Sequence, residues 1–268
     1  MLSAVLRIVT WNVNSLKARL ARVEEWLAQV RPDVVCLQET KLADAAFPTM
    51  AFEALGYAVA HHGEGRWNGV AICSRIGLTE VATGFTVGGD DEEFPGEARV
   101  VWATCGGVRV ASVYVPNGRA LDHEHYTYKL RFLERLRRDI EDNDPARALA
   151  CCGDFNVAPD DRDVYDPAAF DGSTHVSGPE RDALQALGDA GLVDVFRRHY
   201  DAAGLYSWWD YRGGNFHKRK GLRIDLILAS TPLADRSTSV LIDRNARKGS
   251  QPSDHAPVVA DFDVDVAS

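Results

Sequence analysis

The sequence has no long apolar run, no cysteine pair at metal-binding spacing and no excess of positive charge. No stretch reaches the roughly 20 apolar residues that a membrane-spanning helix requires. The five cysteines are an odd number without a C-x-x-C pair, which argues against a zinc site or a disulfide framework. Lys and Arg number 30 against 39 Asp and Glu, so the net charge is −9. This sign argues against a nucleic-acid partner, because duplex DNA is a dense polyanion, but it leaves the positions of the charges open.

The sequence also lacks a Pro/Gly/Ser-rich linker, a low-complexity block and an apolar leader. The N-terminal apolar stretch is short and interrupted by Arg7, unlike a secretory signal. With 268 residues, 46% hydrophobic and 26% charged, the composition is that of a globular protein and excludes a disordered chain. We therefore expect one domain over residues 1–268, with its cysteines as small buried side chains in a reducing cytoplasm.

Short apolar, β-branched runs recur along the chain, with helical patterns between them. The runs predict buried or half-buried strands over residues 5–11, 34–38, 69–74, 100–104, 108–115, 148–152, 224–229 and 257–262. Apolar residues at helical spacing predict helices over 16–30, 123–141 and 180–190. Because the strands occur both alternately with helices and as adjacent pairs, the sequence predicts a layered α/β fold with mixed sheets.

Polar and acidic side chains cluster where the apolar runs stop, as expected of a site built at one end of a sheet. The set comprises Asn12, Asn14, Glu39, Asp154, Asn156, Asp225, Asp254 and His255. Any one of them alone is more simply a turn residue, a helix cap or a surface group. Asp225 differs, because a carboxylate inside an apolar strand is costly unless it is paired, and His255 is the candidate partner.

The donor types in this set indicate a hard metal ion. Oxygen ligands without cysteine suit Mg²⁺ or Mn²⁺ rather than zinc, and Glu39 is the best candidate ligand. The amides of Asn12 and Asn156 suit phosphate oxygens or the orientation of a carboxylate. A metal, a base and phosphate-binding groups together suit the in-line attack of water on a phosphodiester.

Eight short motifs follow one another along nearly the whole chain. They begin at Thr10, Gln38, Trp67, Tyr114, Gly153, Ser207, Leu222 and Ser253, and read TWNVNSL, QETK, WNGVAI, YVPNG, GDFN, SWWDYR, LRIDLIL and SDHAP. In this order they resemble the exonuclease III family of apurinic/apyrimidinic endonucleases, within the endonuclease/exonuclease/phosphatase superfamily. The YVPNG, SWWDYR and LRIDLIL motifs narrow the resemblance to the DNA-repair branch.

The resemblance implies a four-layer α/β sandwich, in which two mixed β-sheets pack face to face with helices on the outside. It implies a divalent-metal-dependent hydrolase that acts in base excision repair by cleaving the phosphodiester 5′ to abasic sites in duplex DNA. Trimming of blocked 3′ ends and 3′→5′ exonuclease activity are implied as further activities. We expect a monomer without membrane contacts in the bacterial cytoplasm, associated with the nucleoid.

The resemblance also implies residue roles. The metal, Mg²⁺ with Mn²⁺ as the alternative, would be held by Glu39, with Asn12 and Asp254 close to it. Asp154 would activate water and be held by Asn156. The scissile phosphate would meet His255, oriented by Asp225, and the Tyr114 hydroxyl, whose phenolate is an alternative nucleophile. The family's DNA contacts match Trp208, Leu222, Ile224 and, within the YVPNG motif, Asn117. Arg212, Lys218, Arg219 and Lys220 are further expected DNA contacts because of their charge, although Arg219-Lys220-Gly221 departs from the family's usual Asn-Arg-Gly.

Among these contacts, Trp208, Leu222 and Ile224 match an apolar pocket for a flipped-out baseless sugar. Such a pocket can exclude intact nucleotides by size, although a core aromatic is an equally plain interpretation of Trp208. Two other functions stay open: a phosphomonoesterase or phospholipid hydrolase of the same superfamily, and a non-catalytic DNA- or protein-binding relative.

Three groups of cations flank the motifs, and we expect them to ring the site and bind DNA phosphates. The groups are Arg212, Lys218, Arg219, Lys220 and Arg223; Lys17, Arg19 and Arg22; and Arg244, Arg247 and Lys248. The acidic residues 90–93 are expected to form a solvated loop away from the DNA. The sequence thus predicts a basic rim around an acidic centre, despite the negative net charge.

Overall fold

A computed structural model describes residues 5–86 and 97–264, and these residues form two six-stranded sheets. The first sheet has the order β11-β12-β1-β2-β4-β3. Its strands are β1 (Val5–Asn12), β2 (Val34–Gln38), β3 (Ala58–His62), β4 (Val70–Ser74), β11 (Ser237–Ile242) and β12 (Val258–Asp263). β1 and β2 run parallel and the other pairs of these six strands are antiparallel, so this sheet is mixed.

The second sheet has the order β5-β6-β7-β8-β10-β9. Its strands are β5 (Thr79–Thr83), β6 (Val100–Cys105), β7 (Val108–Tyr114), β8 (Leu149–Asp154), β9 (Leu192–Asp194) and β10 (Asp225–Ser230). The β7–β8 pair is parallel and the other pairs are antiparallel. The predicted mixed-sheet architecture is therefore confirmed.

Six α-helices of the described residues pack against the two sheets, four on their outer faces and two against the layer between them. They are α1 (Leu16–Val30), α2 (Thr49–Glu53), α3 (Glu124–Asp142), α4 (Gly178–Asp189), α5 (Val195–His199) and α6 (Thr231–Ala234). In α4, Ser177 and Glu180 form a reciprocal capping box, which satisfies amides that the first helical turn leaves without partners. Within residues 5–86 and 97–264, we find no helix with the length and apolarity to cross a bilayer.

Three apolar layers hold this sandwich together. The layer between the sheets combines inward side chains of both, such as Ile8, Cys36 and Cys152. One outer layer packs α1 and α2 on the first sheet, and the other packs α3 and α4 on the second. The central strands are therefore buried on both faces, which explains why they read as continuous apolar runs rather than alternating ones.

The sequence predicts the inner strands and the three long helices to within two residues, and it misses four strands. The missed strands are β3, β5, β9 and β11, the edge strands of the two sheets. The expected acidic loop at 90–93 lies outside the described residues.

Candidate active site

The ends of central strands from both sheets bring polar side chains together. β1 ends at Asn12 and its parallel neighbour β2 is followed by Glu39, while β8 ends at Asp154 and the antiparallel β10 begins at Asp225. The Asn12 Nδ2 atom donates to Glu39 Oε1 at 2.8 Å and to Asp154 Oδ2 at 2.9 Å. One buried amide therefore links the carboxylates of the two sheets.

The backbone around these strand ends is unusual. Asn14, Glu39 and Asn156 have φ angles of 43°, 51° and 51°, in the left-handed region that non-glycine residues rarely occupy. Residues held in this region cluster at functional sites, because the surrounding structure must compensate for the strain. Gly153, within the GDFN motif, has no room for a Cβ atom, which would overlap the carbonyl of Val113 on the neighbouring strand.

His255 and Asp225 form the buried pair that the sequence predicts. The His255 Nδ1 atom lies 2.9 Å from Asp225 Oδ2 and 3.0 Å from Oδ1. The Ser207 Oγ atom accepts from the amide of Asp225, which fixes this strand end. The other ring nitrogen, Nε2, faces Asp154 Oδ2 at 3.8 Å. The imidazole thus stands between two carboxylates that lie opposite each other on neighbouring strands.

Burial and charge shift both groups strongly. Burial opposes the charged imidazole, but the carboxylates of Asp225 and Asp154 outweigh it and raise the pKa of His255 to about 10. Burial raises the pKa of Asp154 to about 7; the positive His255 opposes this rise, and Asp225 and Glu39 add to it. Neighbouring acidic and basic groups whose pKa values are strongly shifted are typical of active sites.

Glu39 contacts Asn12 through one carboxylate oxygen and Lys41 through the other. Lys41 Nζ lies 2.8 Å from Glu39 Oε2 and 2.6 Å from Asn14 Oδ1, while Asn14 Nδ2 donates to Asp254 Oδ1 at 2.9 Å. Sequence reasoning did not assign Lys41 a role, although it is the last residue of the QETK motif.

Tyr114, the last residue of β7, also faces these carboxylates. Burial and the charges of Glu39 and Asp154 hold the pKa of the Tyr114 phenol well above its usual range, which favours its neutral, hydrogen-bond-donating form.

Asn156 contacts Asp154 through its backbone rather than through its side chain. The Asn156 amide donates to Asp154 Oδ1 at 2.9 Å, and the Asn156 Oδ1 atom faces Asn117 Nδ2 and His175 Nε2 at 3.3 and 3.2 Å. Sequence reasoning missed His175, because it lies in an irregular segment that is far along the chain from any predicted strand end. Burial and the positive charge of Lys129 lower the pKa of His175 to about 4, so its ring is neutral at pH 7.

Two side-chain groups among the described residues have the geometry to hold a metal ion. One is Glu39, Asp154 and His255, whose ligand atoms lie within 4.8 Å of one another, and the other comprises residues 123–125. Asp254 is not in the first group, and its oxygens accept from Asn14 and from Trp208 Nε1. Its expected place at the metal stays a prediction.

Trp208, Leu222 and Ile224 lie in one apolar cluster, as the pocket hypothesis requires. Leu222 and Ile224 are only 1% and 2% exposed, so Trp208 offers most of the accessible surface of the three. Its Nε1 atom donates to Asp254 Oδ2 at 3.0 Å, and its ring lies 6.4 Å from that of His255. The cluster therefore borders the polar centre directly.

The exposed cations of the candidate site lie mainly in one loop. Lys218, Arg219 and Lys220 are all exposed in the loop that precedes the LRIDLIL motif. Arg212 is exposed as well, but its guanidinium is paired with Asp210, with Nε 3.0 Å from Oδ1. This loop holds most of the predicted basic rim that is open to solvent.

Several cations expected on the rim are internal, which corrects the sequence interpretation. Arg223 is 1% exposed and binds Asp163 and Asp194, at 2.6 and 2.7 Å. Arg247 is 7% exposed, with its guanidinium 4.5 Å from the Phe216 ring centre. Charge adjacency along the chain did not distinguish these structural guanidinium groups from surface ones.

Two of the three cations near the first motif are also engaged. Arg19 donates to the carbonyl of Asn14, and Arg22 donates to those of Ala246 and Lys248, at 2.7 and 2.6 Å. Both tie α1 to neighbouring loops. The remaining exposed members of the three groups are Lys17, Arg244 and Lys248.

Comparison with known proteins agrees with this geometry. The endonuclease/exonuclease/phosphatase family matches residues 9–255. Exodeoxyribonuclease III of Haemophilus influenzae is 34% identical over 96% of this chain and 100% of its own. An AP endonuclease from Archaeoglobus fulgidus has 38% identity and a TM-score of 0.92, over 97% of this chain and 100% of its own. The 3′ phosphatase NExo from Neisseria, bound to a product DNA hairpin, has 41% identity and a TM-score of 0.92 over the same shares.

These similarities cover almost the whole chain, including every motif from which the site is built. The chain therefore belongs to the exonuclease III family of apurinic/apyrimidinic endonucleases and is a DNA-repair nuclease.

Proposed function

We propose that this nuclease hydrolyses the phosphodiester 5′ to abasic sites in duplex DNA, in a Mg²⁺-dependent reaction. The observation that carries the proposal is the connected polar centre: Asn12 joins Glu39 to Asp154, and His255 lies between Asp154 and Asp225. This arrangement combines a base with a positively charged group for phosphate, next to the apolar cluster that holds Trp208.

The donor set fits a divalent cation. Glu39 and Asp154 offer carboxylate oxygens, and their group contains no cysteine, which suits Mg²⁺ or Mn²⁺. A bound cation would stabilise the charge that develops on the phosphate and on the leaving oxygen. We propose Glu39 as its main ligand, with Asn12 and Asp254 close by.

The side chains around the phosphate take complementary roles in this proposal. Asp154 accepts a proton from the attacking water, and its raised pKa brings it close to the working pH. The charged His255 imidazole faces the scissile phosphate, because Asp225 holds its other nitrogen. The neutral Tyr114 phenol and the exposed Asn117 amide donate hydrogen bonds to phosphate oxygens.

A first test uses a labelled duplex with a single tetrahydrofuran abasic analogue. We expect incision 5′ to the analogue with Mg²⁺ or Mn²⁺ and none with EDTA, because the cation stabilises the charge that develops on the phosphate and on the leaving oxygen. An intact duplex and an inositol phosphate serve as controls. Turnover of the inositol phosphate without incision of the abasic duplex would contradict the proposal and favour a phosphomonoesterase.

Processing of 3′ ends is a second candidate activity. It is supported by the similarity to the Neisseria 3′ phosphatase and to an exodeoxyribonuclease III. The same centre serves both reactions, since each is the attack of water on a phosphate ester. Duplexes with a 3′-phosphate or a recessed 3′-hydroxyl end, assayed beside the abasic duplex, give the balance of the activities.

We expect the exposed loop cations Lys218, Arg219 and Lys220 to bind DNA phosphates. Changing all three to Ala should weaken DNA binding and reduce the slope of log K against log salt by about 2 to 3, because three phosphate contacts release that many counterions. The measurement is fluorescence anisotropy at several salt concentrations, with EDTA to prevent cleavage.

The matched control removes three exposed cations from the opposite end of the strands. Arg147 precedes β8 and Arg236 precedes β11, and Arg198 lies on α5. Changing these three to Ala removes the same charge from the chain and should leave the salt slope unchanged. An equal slope in both triple variants would show that the loop cations face away from the DNA.

We also propose that the protein works as a monomer in the bacterial cytoplasm, in contact with nucleoid DNA. The five cysteines are all free and buried, which is in keeping with a reducing compartment.

A further inference from the structure

A fully buried ion pair lies beneath the phosphate-facing side of the candidate site. Lys129 of α3 and Glu180 of α4 are each 0% exposed, and Lys129 Nζ contacts Glu180 Oε1. Burying two charges is costly, and apolar residues of similar volume often give equal or greater stability. Stability alone therefore explains such a pair poorly, and its other contacts indicate what it does.

Lys129 reaches the backbone of two site segments. Its Nζ atom donates to the carbonyl of Asn156 at 2.6 Å and to that of Asn117 at 3.3 Å. These residues follow β8 and β7, the parallel strands that also deliver Asp154 and Tyr114. One ammonium group thus fixes the two strand-end segments relative to each other.

Glu180 organises a third segment. Its Oε1 atom accepts from Thr174 Oγ1 at 2.7 Å and from the His175 amide at 2.9 Å, and its Oε2 atom accepts from Ser177. The Thr174 hydroxyl also lies 3.0 Å from the carbonyl of Asn117. The packing leaves little freedom, because a Cβ atom on Gly118 would approach Thr174 Oγ1 at 2.9 Å and Lys129 Cδ at 3.2 Å.

We propose that Lys129 and Glu180 are positioning residues, which set the side chains of Asn117, Asn156 and His175 at the distances that phosphate binding in the transition state requires. The proposal rests on the proposed function, which places Asn117 at the phosphate and makes Asp154, to which the Asn156 amide donates, the base. These three side chains lie within 3.1 to 3.3 Å of one another, although they come from three separate segments. The ion pair is the element that contacts the backbone of all three segments.

The test removes both charges together in the double variant K129M/E180Q, which leaves no unpaired buried charge. We expect kcat for incision of the abasic duplex to fall about tenfold or more, with KM changed less than about threefold, because small misplacements cost more in the transition state than in binding. T174V, which removes the hydroxyl between Glu180 and Asn117, should lower kcat about threefold and decides the question if the double variant does not fold.

Asp139→Asn is the matched control for stability. Asp139 lies on the same helix, about 15 Å from Lys129 along its axis, is also 0% exposed, and accepts from Trp102 Nε1. We expect this variant to lower the melting temperature while leaving kcat within about twofold. All rates are measured at a temperature where each variant is fully folded.

A second readout does not depend on cleavage. The side-chain amide NMR resonances of Asn117 and Asn156 should shift in K129M/E180Q and T174V, and should not shift in D139N. Unchanged amide resonances with wild-type kcat in the folded variants would overturn the inference. An inactive wild-type protein would instead contradict the proposed function, and the amide resonances would still decide the role of the pair.

Discussion

Replacing Asp154 by Asn is expected to lower the single-turnover rate of incision by roughly 10³-fold, with DNA affinity changed less than about threefold. The amide keeps the size of the side chain but cannot accept the proton of the attacking water. Asp154 is 1% exposed and contacts DNA, in the proposed mechanism, only through that water. Its loss should therefore affect the transition state far more than the bound ground state.

The matched control for this change is Asp161→Asn. Asp161 follows Asp154 closely in the sequence and pairs with Arg181 at 2.8 Å, and its side chain is 67% exposed. We expect its replacement to change neither the rate nor the DNA affinity. The rate is measured with excess enzyme, and the affinity by anisotropy of an uncleaved duplex in EDTA. A collapse of affinity at an intact maximal rate would show that Asp154 binds DNA rather than activating water.

The second large effect is expected from Asp225→Asn, measured as a pH–rate profile. In the wild type the negative Asp225 helps to raise the pKa of His255 to about 10, so the imidazole is charged throughout the neutral range. Removing that negative charge lowers the pKa of His255. The positive charge facing the phosphate is then lost at a lower pH, and the basic limb of the profile moves toward neutrality. We expect the rate at pH 8 to fall by roughly 10²-fold.

A double-variant comparison separates this mechanism from a general disturbance. In a His255→Asn background no imidazole remains beside Asp225, so Asp225→Asn should produce no further movement of the basic limb. An identical basic limb in Asp225→Asn and in the wild type would show that His255 is not the titrating group. The acid limb reports a different event, because protonation of Asp154 below its raised pKa removes the base.

How far the sequence predicts this fold depends on burial. The inner strands are apolar on both faces, so their runs stand out clearly from the surrounding chain. β5 and β11 are mostly exposed and β9 has three residues, so each lacks the long apolar run on which the prediction relies. Within the described residues these strands, with β3, occupy the four sheet edges, and most of their side chains are exposed or half-buried.

The residues of the candidate site also differ in how far the sequence predicts them. Asp225 could be predicted as a paired group because its carboxylate interrupts an apolar strand, and the structure provides the partner at 2.9 Å. Lys129, Glu180 and His175 could not be predicted, because their local sequence is that of ordinary surface helix and loop. Their importance arises from tertiary contacts among segments that are far apart in the chain. The internal Arg223 shows the converse, since a cation-rich segment gives no sign of which guanidinium turns inward.

The link from Asn12 to both carboxylates has a consequence for the lifetime of the active state. Glu39 follows a strand of one sheet and Asp154 ends a strand of the other, so the proposed catalytic centre exists only while the two sheets stay docked. Local separation of the sheets would dismantle the centre without melting either sheet. The same separation would uncover Cys36, Cys105 and Cys152, which are 0% exposed in the layer between the sheets. Oxidation of an uncovered thiol would add polar oxygen to this apolar layer and would oppose the return of the sheets to contact.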